Sequence, residues 1–335
     1  MTVLVTGGAG YIGSHMAHAL VDRGEQVVVI DNLVTGVRAL VPEKAELVEG
    51  DVGDRALVEA IVRERGVDAV LHFAGSTVVP DSVRDPLAYY ENNTSSSRSL
   101  LEACSRAGVE HFIFSSTAAV YAASADEPID EGAATAPASP YGRSKLMTEW
   151  MLQDAAGATS MRYVILRYFN VAGADPSGRT GQSTPRATHL IKRACQAALG
   201  QIACLDIFGA DWPTSDGTGV RDYIHVSDLV SAHLLALDHL RGGGASGVFN
   251  CGYGRGFSVR DVIAAVERAS NAKLRTRERP RRPGDLAAVV ADARSIRRKL
   301  HWRPHYDDLE VIVRHALDWE RRTNAASFAT AKTER

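Results

Sequence analysis

A tyrosine and a lysine four residues apart are the clearest candidates for chemistry in this sequence. Tyr141 and Lys145 follow Pro140, which commonly opens a helix, and this spacing places phenol and ammonium on one helical face. A free tyrosine has a pKa near 10, and lowering it to about 7 needs roughly 4 kcal/mol of preference for the phenolate. One positive charge at about 4 Å supplies energy of that order at an effective dielectric constant of about 20. The pair could therefore act as a general base, with Lys145 keeping Tyr141 ionised.

Three hydroxyl side chains follow the apolar run at residues 111–114. They belong to Ser115, Ser116 and Thr117. Hydroxyls at the carboxyl end of a parallel strand face the ligand crevice. Thr117 could therefore hydrogen-bond a substrate hydroxyl and relay its proton to a neighbouring phenolate. Capping of the strand end is the alternative role for such hydroxyls.

A glycine-rich turn near the N-terminus could hold a pyrophosphate. Gly7, Gly10 and Gly13 follow a short apolar run and precede a helical pattern. Gly7 permits a tight turn, Gly10 lets the backbone approach the phosphates, and Gly13 lets the helix pack close to the sheet. Asp31 stands about 20 residues further on, where a carboxylate binds ribose hydroxyls and repels a 2′-phosphate. The set predicts a dinucleotide site that favours NAD over NADP.

Five apolar runs alternate with helix-length segments and must position these residues. The runs at 3–5, 26–30, 69–73, 111–114 and 163–166 are typical of buried parallel strands. The helical segments are 13–23, 55–65, 88–107 and 140–154. This alternation predicts an α/β protein with a doubly wound parallel sheet of the Rossmann type.

The amino-acid composition of the sequence changes after about residue 175. Gly, Pro, Ser and Thr cluster at 173–185 and again at 209–219. We predict an NAD-binding Rossmann domain over 1–175 that carries the catalytic Tyr and Lys. A smaller C-terminal α/β substrate-binding domain is predicted over 176–323, with a chain that can cross back. Residues 324–335 are small and polar and are expected to form a frayed tail.

Composition and charge argue against several classes of function. The 335 residues are 45% hydrophobic and 23% charged, and the formal net charge is −2. This balance does not favour nucleic acid or an anionic membrane as partner. We find no apolar run of the roughly 18 residues that a membrane span needs, no signal peptide and no C-x-x-C pair. The expectation is a cytoplasmic protein with no nucleic-acid partner, no membrane partner and no metal site.

Taken together, these motifs resemble the extended short-chain dehydrogenase/reductase superfamily, and more specifically the UDP-glucose 4-epimerase (UDP-galactose 4-epimerase) family. The resemblance covers about residues 1–320, and the motifs from Arg167 onward are its most specific part. The motifs that carry it are residues 7–13, Asp31-Asn32-Leu33, Gly50-Asp51-Val52, His72-Phe73-Ala74-Gly75, Tyr90-Glu91-Asn92-Asn93, residues 141–145, Arg167-Tyr168-Phe169-Asn170, residues 219–226 and Arg282-Pro283-Gly284-Asp285.

The resemblance implies an isomerase that interconverts UDP-glucose and UDP-galactose with a tightly held NAD. Tyr141 would take the proton of the sugar 4-hydroxyl, helped by Thr117, while the C4 hydride moves to NAD. The 4-keto sugar would rotate and receive the hydride on its opposite face. Lys145 would hold the ribose and, together with the positive nicotinamide ring, keep Tyr141 ionised. A homodimer is also implied, formed by segments 88–107 and 143–154 of each subunit.

The resemblance further assigns contact residues for both ligands. Contacts with NAD fall on Gly7, Gly10, Tyr11, Ile12, Gly13, Asp31, Asn32, Asp51, Val52, Phe73, Ala74, Gly75, Asn93, Tyr141, Lys145 and Phe169. Contacts with the UDP-sugar fall on Thr117, Asn170, Leu190, Phe208, Arg221, Arg282 and Asp285. The two arginines suit a diphosphate, and Asp285 suits ribose hydroxyls. Without the resemblance, Arg282 and its arginine neighbours would predict a solvated or nucleic-acid-facing surface.

Several residues depart from the family pattern. Thr77 replaces a lysine near the nicotinamide, and His189 replaces an asparagine before Leu190. Val289 stands where some members carry a tyrosine. A smaller side chain there could leave room for an N-acetyl group at the sugar C2. UDP-N-acetylglucosamine and UDP-pentoses are therefore alternative substrates.

Two other functions compete with epimerisation on the same scaffold. A nucleotide-sugar dehydratase needs a further acid beside the catalytic hydroxyl, but Ala118 and Ala119 follow Thr117. A non-catalytic dinucleotide-binding protein can lose the tyrosine or the lysine, but both are present. The sequence does not distinguish a role in galactose catabolism from one in polysaccharide precursor supply.

Overall fold

Seven parallel strands form the central sheet of the protein. We describe it from a computed structural model, and the description covers residues 1–122, 128–184, 187–282 and 284–333. The described residues form thirteen strands, of which seven belong to the central sheet: β1 (Thr2–Thr6), β2 (Gln26–Asp31), β3 (Glu46–Glu49), β4 (Val67–His72), β5 (His111–Thr117), β6 (Arg162–Tyr168), β7 (Asn170–Ala172), β8 (Leu205–Phe208), β9 (Val220–His225), β10 (Gly247–Cys251), β11 (Gly256–Ser258), β12 (Thr276–Arg279) and β13 (Ala288–Val289).

Helices cover the sheets and join the strands. They are α1 (Tyr11–Asp22), α2 (Arg55–Arg65), α3 (Val79–Arg84), α4 (Pro86–Tyr89), α5 (Ser96–Ala107), α6 (Pro140–Gly157), α7 (Leu190–Ala198), α8 (Val226–Arg241), α9 (Val259–Ser270), α10 (Arg294–Lys299) and α11 (Leu309–Thr333). Short 3-10 turns lie at Arg38–Leu40 and Ala118–Val120, and a π-helical turn lies at Tyr90–Ser95. Among the described residues, we find no helix long and apolar enough to cross a membrane.

The central sheet is buried on both faces, which explains the nearly continuous apolar runs of its strands. Because successive side chains of a strand point to opposite faces, Val3 and Val5 pack with Leu20 of α1 on one face. Leu4 packs with Leu100 of α5 on the other. The strand order β10-β6-β5-β4-β1-β2-β3 confirms the predicted doubly wound sheet.

A second, smaller layer of strands follows the central sheet. β9 pairs with β7, β11 and β13, and β8 pairs with β12. The chain then returns, because β10 pairs with β6 and completes the first sheet. Because β10 comes after residue 175 but belongs to the central sheet, the two parts of the protein are not two continuous segments divided at residue 175.

The structure differs from the sequence-based expectations in three elements. Residues 88–107 are not one helix, because the π-helical turn Tyr90–Ser95 separates α4 from α5. Strand β3 was not predicted; its ends are exposed and its middle is half-buried, so it lacks a strong apolar pattern. α11 continues to Thr333, into the segment expected to be a frayed tail, and residues 334 and 335 lie outside the described residues.

Candidate active site

Tyr141, Thr117 and Lys145 come together at the carboxyl end of β5. Ser139 caps α6 by accepting a hydrogen bond from the backbone N–H of Gly142 at 3.2 Å, so the helix begins just before the tyrosine. Thr117 ends β5, and its hydroxyl interacts with the phenol of Tyr141. All three side chains are buried. The structure therefore assembles the predicted phenol, hydroxyl and ammonium in one place.

The environment of Tyr141 favours the neutral phenol. Burial raises the pKa of Tyr141, and the hydrogen bond with Thr117 lowers it by less. The ammonium of Lys145 donates instead to the backbone carbonyl of Ser115, at 3.1 Å. The predicted lowering of the Tyr141 pKa depends on Lys145 together with the positive nicotinamide ring of bound NAD, and it stays a prediction.

Lys145 lies in an equally dry position. Burial lowers its pKa to about 8, while the nearby Glu149 raises it. Its Nζ lies 5.0 Å from the centre of the Phe114 ring. The backbone of Gly75 passes close by, since a Cβ built there would lie 3.6 Å from Nζ and 3.0 Å from Oδ1 of Asn93. The ammonium is thus enclosed between α6, β5 and the turn after β4.

The glycine turn after β1 has the geometry that a pyrophosphate requires. Gly7 has a left-handed φ of +66°, which favours glycine. A Cβ on Gly13 would lie 2.2 Å from the carbonyl oxygen of Gly7, so only glycine allows α1 to pack this closely. Gly10 precedes α1 and makes no side-chain cap, which leaves the first N–H groups of the helix for an anion. These residues fit the predicted NAD.

The predicted adenosine residues lie beside this turn. Asp31 ends β2, and its carboxylate accepts hydrogen bonds from the N–H groups of Ala9 and Leu33, both at 2.9 Å. A carboxylate has about four acceptor positions, so two remain for ribose hydroxyls. Asn32 donates from Nδ2 to Asp51 at 3.0 Å. The turn and the acid are therefore held in one rigid unit at the sheet edge.

The end of β4 closes the other side of the crevice. The N–H groups of Phe73 and Ala74 donate to Oγ1 of Thr6, at 3.2 and 3.3 Å. Since β1 pairs with β2 on one side and with β4 on the other, the crevice lies at the point where the strand order reverses. Ligands of open α/β sheets bind at such points.

Asn93 joins the turn after β4 to α6. Its Oδ1 accepts from the N–H of Ser76 at 2.7 Å, and its Nδ2 donates to the carbonyl of Ser76 and to Oγ of Ser144. These hydrogen bonds fix the amide beside the turn, and the predicted contact of Asn93 with NAD stays a prediction.

The predicted substrate residues lie on the second layer. Arg221 is on β9, and Asp285 lies close enough to raise its pKa against the effect of burial. Arg282 forms an ion pair with Asp285 at 2.9 Å, and its guanidinium lies 4.8 Å from the ring centre of Phe208. Pro283 lies outside the described residues. Two guanidinium groups, a carboxylate and an exposed aromatic ring thus meet in one region.

Asn170 and Leu190 border a cavity between the two layers, together with His189 and Tyr223. Nδ1 of His189 is hydrogen-bonded to Nε2 of Gln182 at 2.8 Å, which fixes the ring beside the start of α7. Among the described residues, we find no group of His, Cys, Asp and Glu side chains placed to hold a metal ion.

The sequence interpretation missed Glu149, which lies fully buried one helical turn after Lys145 on α6. Its position four residues after Lys145 continues the spacing from Tyr141, and this repeated spacing was the available signal. Arg167 was recognised as part of a motif, but its ion pair with Glu149 was not.

The fold and the glycine turn together define an NAD-binding Rossmann-type enzyme, in which the predicted catalytic residues Tyr141 and Lys145 lie on the buried face of α6. Residues 3–252 match the model of the NAD dependent epimerase/dehydratase family. The chain belongs to this family.

Individual relatives agree with this assignment. A UDP-glucose 4-epimerase of Azospirillum brasilense is 59% identical over 95% of this chain and 92% of its own length. A crystal structure of UDP-glucose 4-epimerase from Brucella ovis in complex with NAD is 44% identical, with a TM-score of 0.92 over 95% of this chain and 97% of that one. The UDP-Glc/GlcNAc 4-epimerase of Campylobacter jejuni is 44% identical, with a TM-score of 0.84 over 96% and 99%. The predicted family, fold class and NAD-dependent epimerase class are confirmed.

The close packing at Gly13 leads to a first prediction. Gly13→Ala places a methyl group against the Gly7 carbonyl and should weaken NAD retention by more than about tenfold, a cost of about 1.4 kcal/mol. NAD released on denaturing the purified protein measures this directly. Gly157→Ala is the control, because a Cβ there meets nothing within 4 Å. Equal NAD content in the two variants would contradict the assignment of the turn.

Proposed function

We propose that this chain interconverts UDP-glucose and UDP-galactose by oxidising and then reducing the sugar at C4 with bound NAD. One observation carries the proposal: Tyr141, Thr117 and Lys145 lie at the sheet edge that also bears the dinucleotide turn. The UDP-glucose 4-epimerases described above support the same function, since they align along nearly the whole chain. The arginines of the second layer supply the charge that a nucleoside diphosphate requires.

The residues of the chain would act on the 4-hydroxyl as follows. Tyr141 accepts the hydroxyl proton, and Thr117 orients that hydroxyl by hydrogen bonding to it and to the phenol. Bound NAD would supply a hydride acceptor at C4 and the positive charge that the phenol lacks. Lys145 adds a second cation and, through Ser115, fixes the position of the strand end. Burial of all three side chains excludes water from the reacting atoms.

The surroundings of Thr117 support an epimerase over a dehydratase. Ala118 and Ala119 form the start of the short 3-10 turn that follows β5, so neither offers an acid. The buried carboxylate behind them belongs to Glu149, which is paired with Arg167. A carboxylate held by a guanidinium is a poor proton donor. Among the described residues that follow Thr117 in this turn, we therefore find no acid for the elimination of water.

Replacement of the phenol gives the decisive test of this function. Tyr141→Phe removes the group that accepts the proton, so turnover of UDP-galactose should fall by about 10²–10⁴-fold while NAD stays bound. Conversion of UDP-galactose to UDP-glucose without added cofactor is the assay. Thr117→Ser keeps the hydroxyl and should retain most activity, whereas Thr117→Val should lose it. Full activity in Tyr141→Phe would refute the role of the phenol.

UDP-N-acetylglucosamine is a second candidate substrate. Val289 is only partly buried and lies in register with Arg221 across β13 and β9. It also packs against the cluster that contains Phe169, close to the catalytic edge. The Campylobacter jejuni relative, whose name includes both sugars, supports the same breadth. A small side chain at this position is compatible with an N-acetyl group at C2.

Enlarging Val289 tests this substrate range. Val289→Tyr should reduce kcat/KM for UDP-N-acetylglucosamine by at least about tenfold, since misfit of one bulky group costs 1–3 kcal/mol. Turnover of UDP-glucose should change much less. Val289→Ala is the matched control and should keep both activities. A parallel fall for both sugars in Val289→Tyr would show that residue 289 does not distinguish them.

A homodimer is proposed from an apolar patch on the outer face of α6. Met147 and Trp150 of α6, Val83 of α3 and Leu87 of α4 form this patch, and Trp150 and Leu87 are 53% and 76% exposed. α3 and α4 pack beside α6, so the four side chains are neighbours. α6 contains segment 143–154, which was predicted for the interface. The four patch residues do not include the other predicted segment, 88–107, and residues of α3 and α4 take its place. An exposed patch of this kind is typical of a protein interface.

A charge in this patch should separate the subunits. Trp150→Glu places a carboxylate on a surface that association would bury, and sedimentation velocity should then show monomers at concentrations where the wild type is a dimer. Val34→Glu is the control, since Val34 is exposed on a different element. A wild-type monomer, or a dimer that survives Trp150→Glu, would contradict the proposed interface.

A cytoplasmic location is proposed as well. Cys104, Cys195 and Cys251 are buried and Cys204 is partly exposed, and all four are free thiols. Free thiols are typical of reducing compartments.

A further inference from the structure

A buried ion pair lies directly behind the catalytic helix and strand. Arg167 of β6 donates from Nε to Oε1 of Glu149 at 3.0 Å and from Nη2 to Oε2 at 2.6 Å. The Glu149 carboxylate is fully buried and Arg167 is 6% exposed. A two-point contact of this kind fixes the relative orientation of α6 and β6. Neither side chain is among the predicted contacts with substrate or cofactor.

Glu149 also connects to the strand that carries the catalytic hydroxyl. Oγ of Ser116 donates to Oε1 of Glu149. Ser116 lies between Ser115, whose carbonyl accepts from Lys145, and Thr117, whose hydroxyl contacts Tyr141. The carboxylate therefore fixes the one residue that separates the two catalytic contacts of β5.

The far side of the ion pair is fully supported. The guanidinium of Arg167 stacks on the Tyr121 ring, 4.9 Å from its centre. Tyr121 donates from its hydroxyl to Oδ1 of Asn250 at 2.6 Å, and Asn250 donates from Nδ2 to the carbonyl of Ile129 at 2.7 Å. These contacts hold Arg167 in place, so the position of the Glu149 carboxylate is fixed as well.

We propose that Glu149 is a positioning residue for the proposed epimerase reaction, holding β5 in place through Ser116 and keeping Lys145 charged. Glu149 lies on the same face of α6 as Lys145, one turn further on. In a dry environment the interaction of two such charges is little screened. Glu149 would then have two functions: its hydrogen bond with Ser116 orients β5, and its charge stabilises the ammonium of Lys145.

The other groups that face Lys145 are uncharged, so they do not mask the effect of the Glu149 charge on the Lys145 pKa. From β4, His72 is neutral, because burial lowers its pKa to about 3. From β6, burial raises the pKa of Tyr168, and from α6 it raises that of Tyr141, so both phenols are neutral in the chain itself. From β5, Ser115 contributes an uncharged carbonyl. Glu149 raises the pKa of Lys145 against the larger effect of burial.

The test compares two variants of the ion pair in the NAD-loaded protein. The chain has only six lysines, so ¹³C-labelled lysine gives a resolvable NMR titration, with the Lys145 signal assigned by its absence in Lys145→Met. In Glu149→Gln the pKa of Lys145 should fall by about one unit, because a nearby opposite charge is lost. Loss of the proton at lower pH should shift the alkaline limb of kcat to lower pH by a similar amount, with little change in KM.

Arg167→Gln distinguishes the effect of the Glu149 charge on Lys145 from the effect of the ion pair on packing. It breaks the same ion pair but removes a positive charge, so the pKa of Lys145 should not fall. If both variants lower this pKa equally, or if neither changes it, the charge role is wrong and the pair is only structural. Ser116→Ala should lower kcat without moving the Lys145 titration, and this variant keeps the test open if Glu149→Gln fails to fold.

A matched ion pair provides the control. Arg241 makes a two-point contact with Asp68, at 2.8 and 3.0 Å. Asp68 lies at the amino end of β4, whereas the predicted catalytic residues lie at the carboxyl ends of the strands. Asp68→Asn should lower the melting temperature but leave the Lys145 titration and the pH profile unchanged. A wild type without epimerase activity would refute the proposed function, whereas the Lys145 titration would still decide the role of Glu149.

Discussion

The site depends on keeping an ammonium and a phenol out of water at the end of one parallel strand. Burial lowers the pKa of Lys145 to about 8 and raises the pKa of Tyr141, so it favours the uncharged form of both groups. Both groups are then poised so that one or two nearby charges decide their protonation. In a solvated site the same charges would have a much smaller effect. The dry environment therefore makes the chemistry sensitive to the few ionised residues around it.

The fold supplies this environment through its topology. The reversal of strand order beside β1 opens the crevice for the dinucleotide, and β5 and α6 place the catalytic side chains along it. The second layer brings the two arginines over the same edge from later in the chain. α6 contributes both to the site and to the proposed interface between subunits. Its buried face bears Tyr141 and Lys145, while its outer face bears the apolar patch. The predicted catalytic side chains and the surface proposed for dimerisation thus both depend on the position of a single helix.

Local spacing made the dinucleotide turn and the Tyr–Lys pair predictable from sequence. Gly7, Gly10 and Gly13 belong to one turn, and Tyr141 and Lys145 to one helix, so their relation follows from helical geometry. The pairing of Glu149 with Arg167 was not predictable in this way, because the partners come from α6 and β6 and meet only in the folded chain. The π-helical turn Tyr90–Ser95 was missed because its sequence has no pattern that distinguishes it from an ordinary helix.

Two details of the site are absent from the sequence patterns. Spacing indicates which groups are close, but not how much water remains around them or which acceptor an ammonium selects. Here the carbonyl of Ser115 accepts the Lys145 hydrogen bond. In the same way, the backbone of Ser76 binds both ends of the Asn93 amide.

The return of the chain in β10 has a consequence for biosynthesis. The first sheet is completed only when Gly247–Cys251 pairs with β6, long after the other six strands have been made. Until that segment leaves the ribosome, β6 presents an unpaired edge, which is the type of surface that recruits other chains. We therefore expect a nascent chain that ends before Cys251 to associate with other chains more readily than the folded protein does.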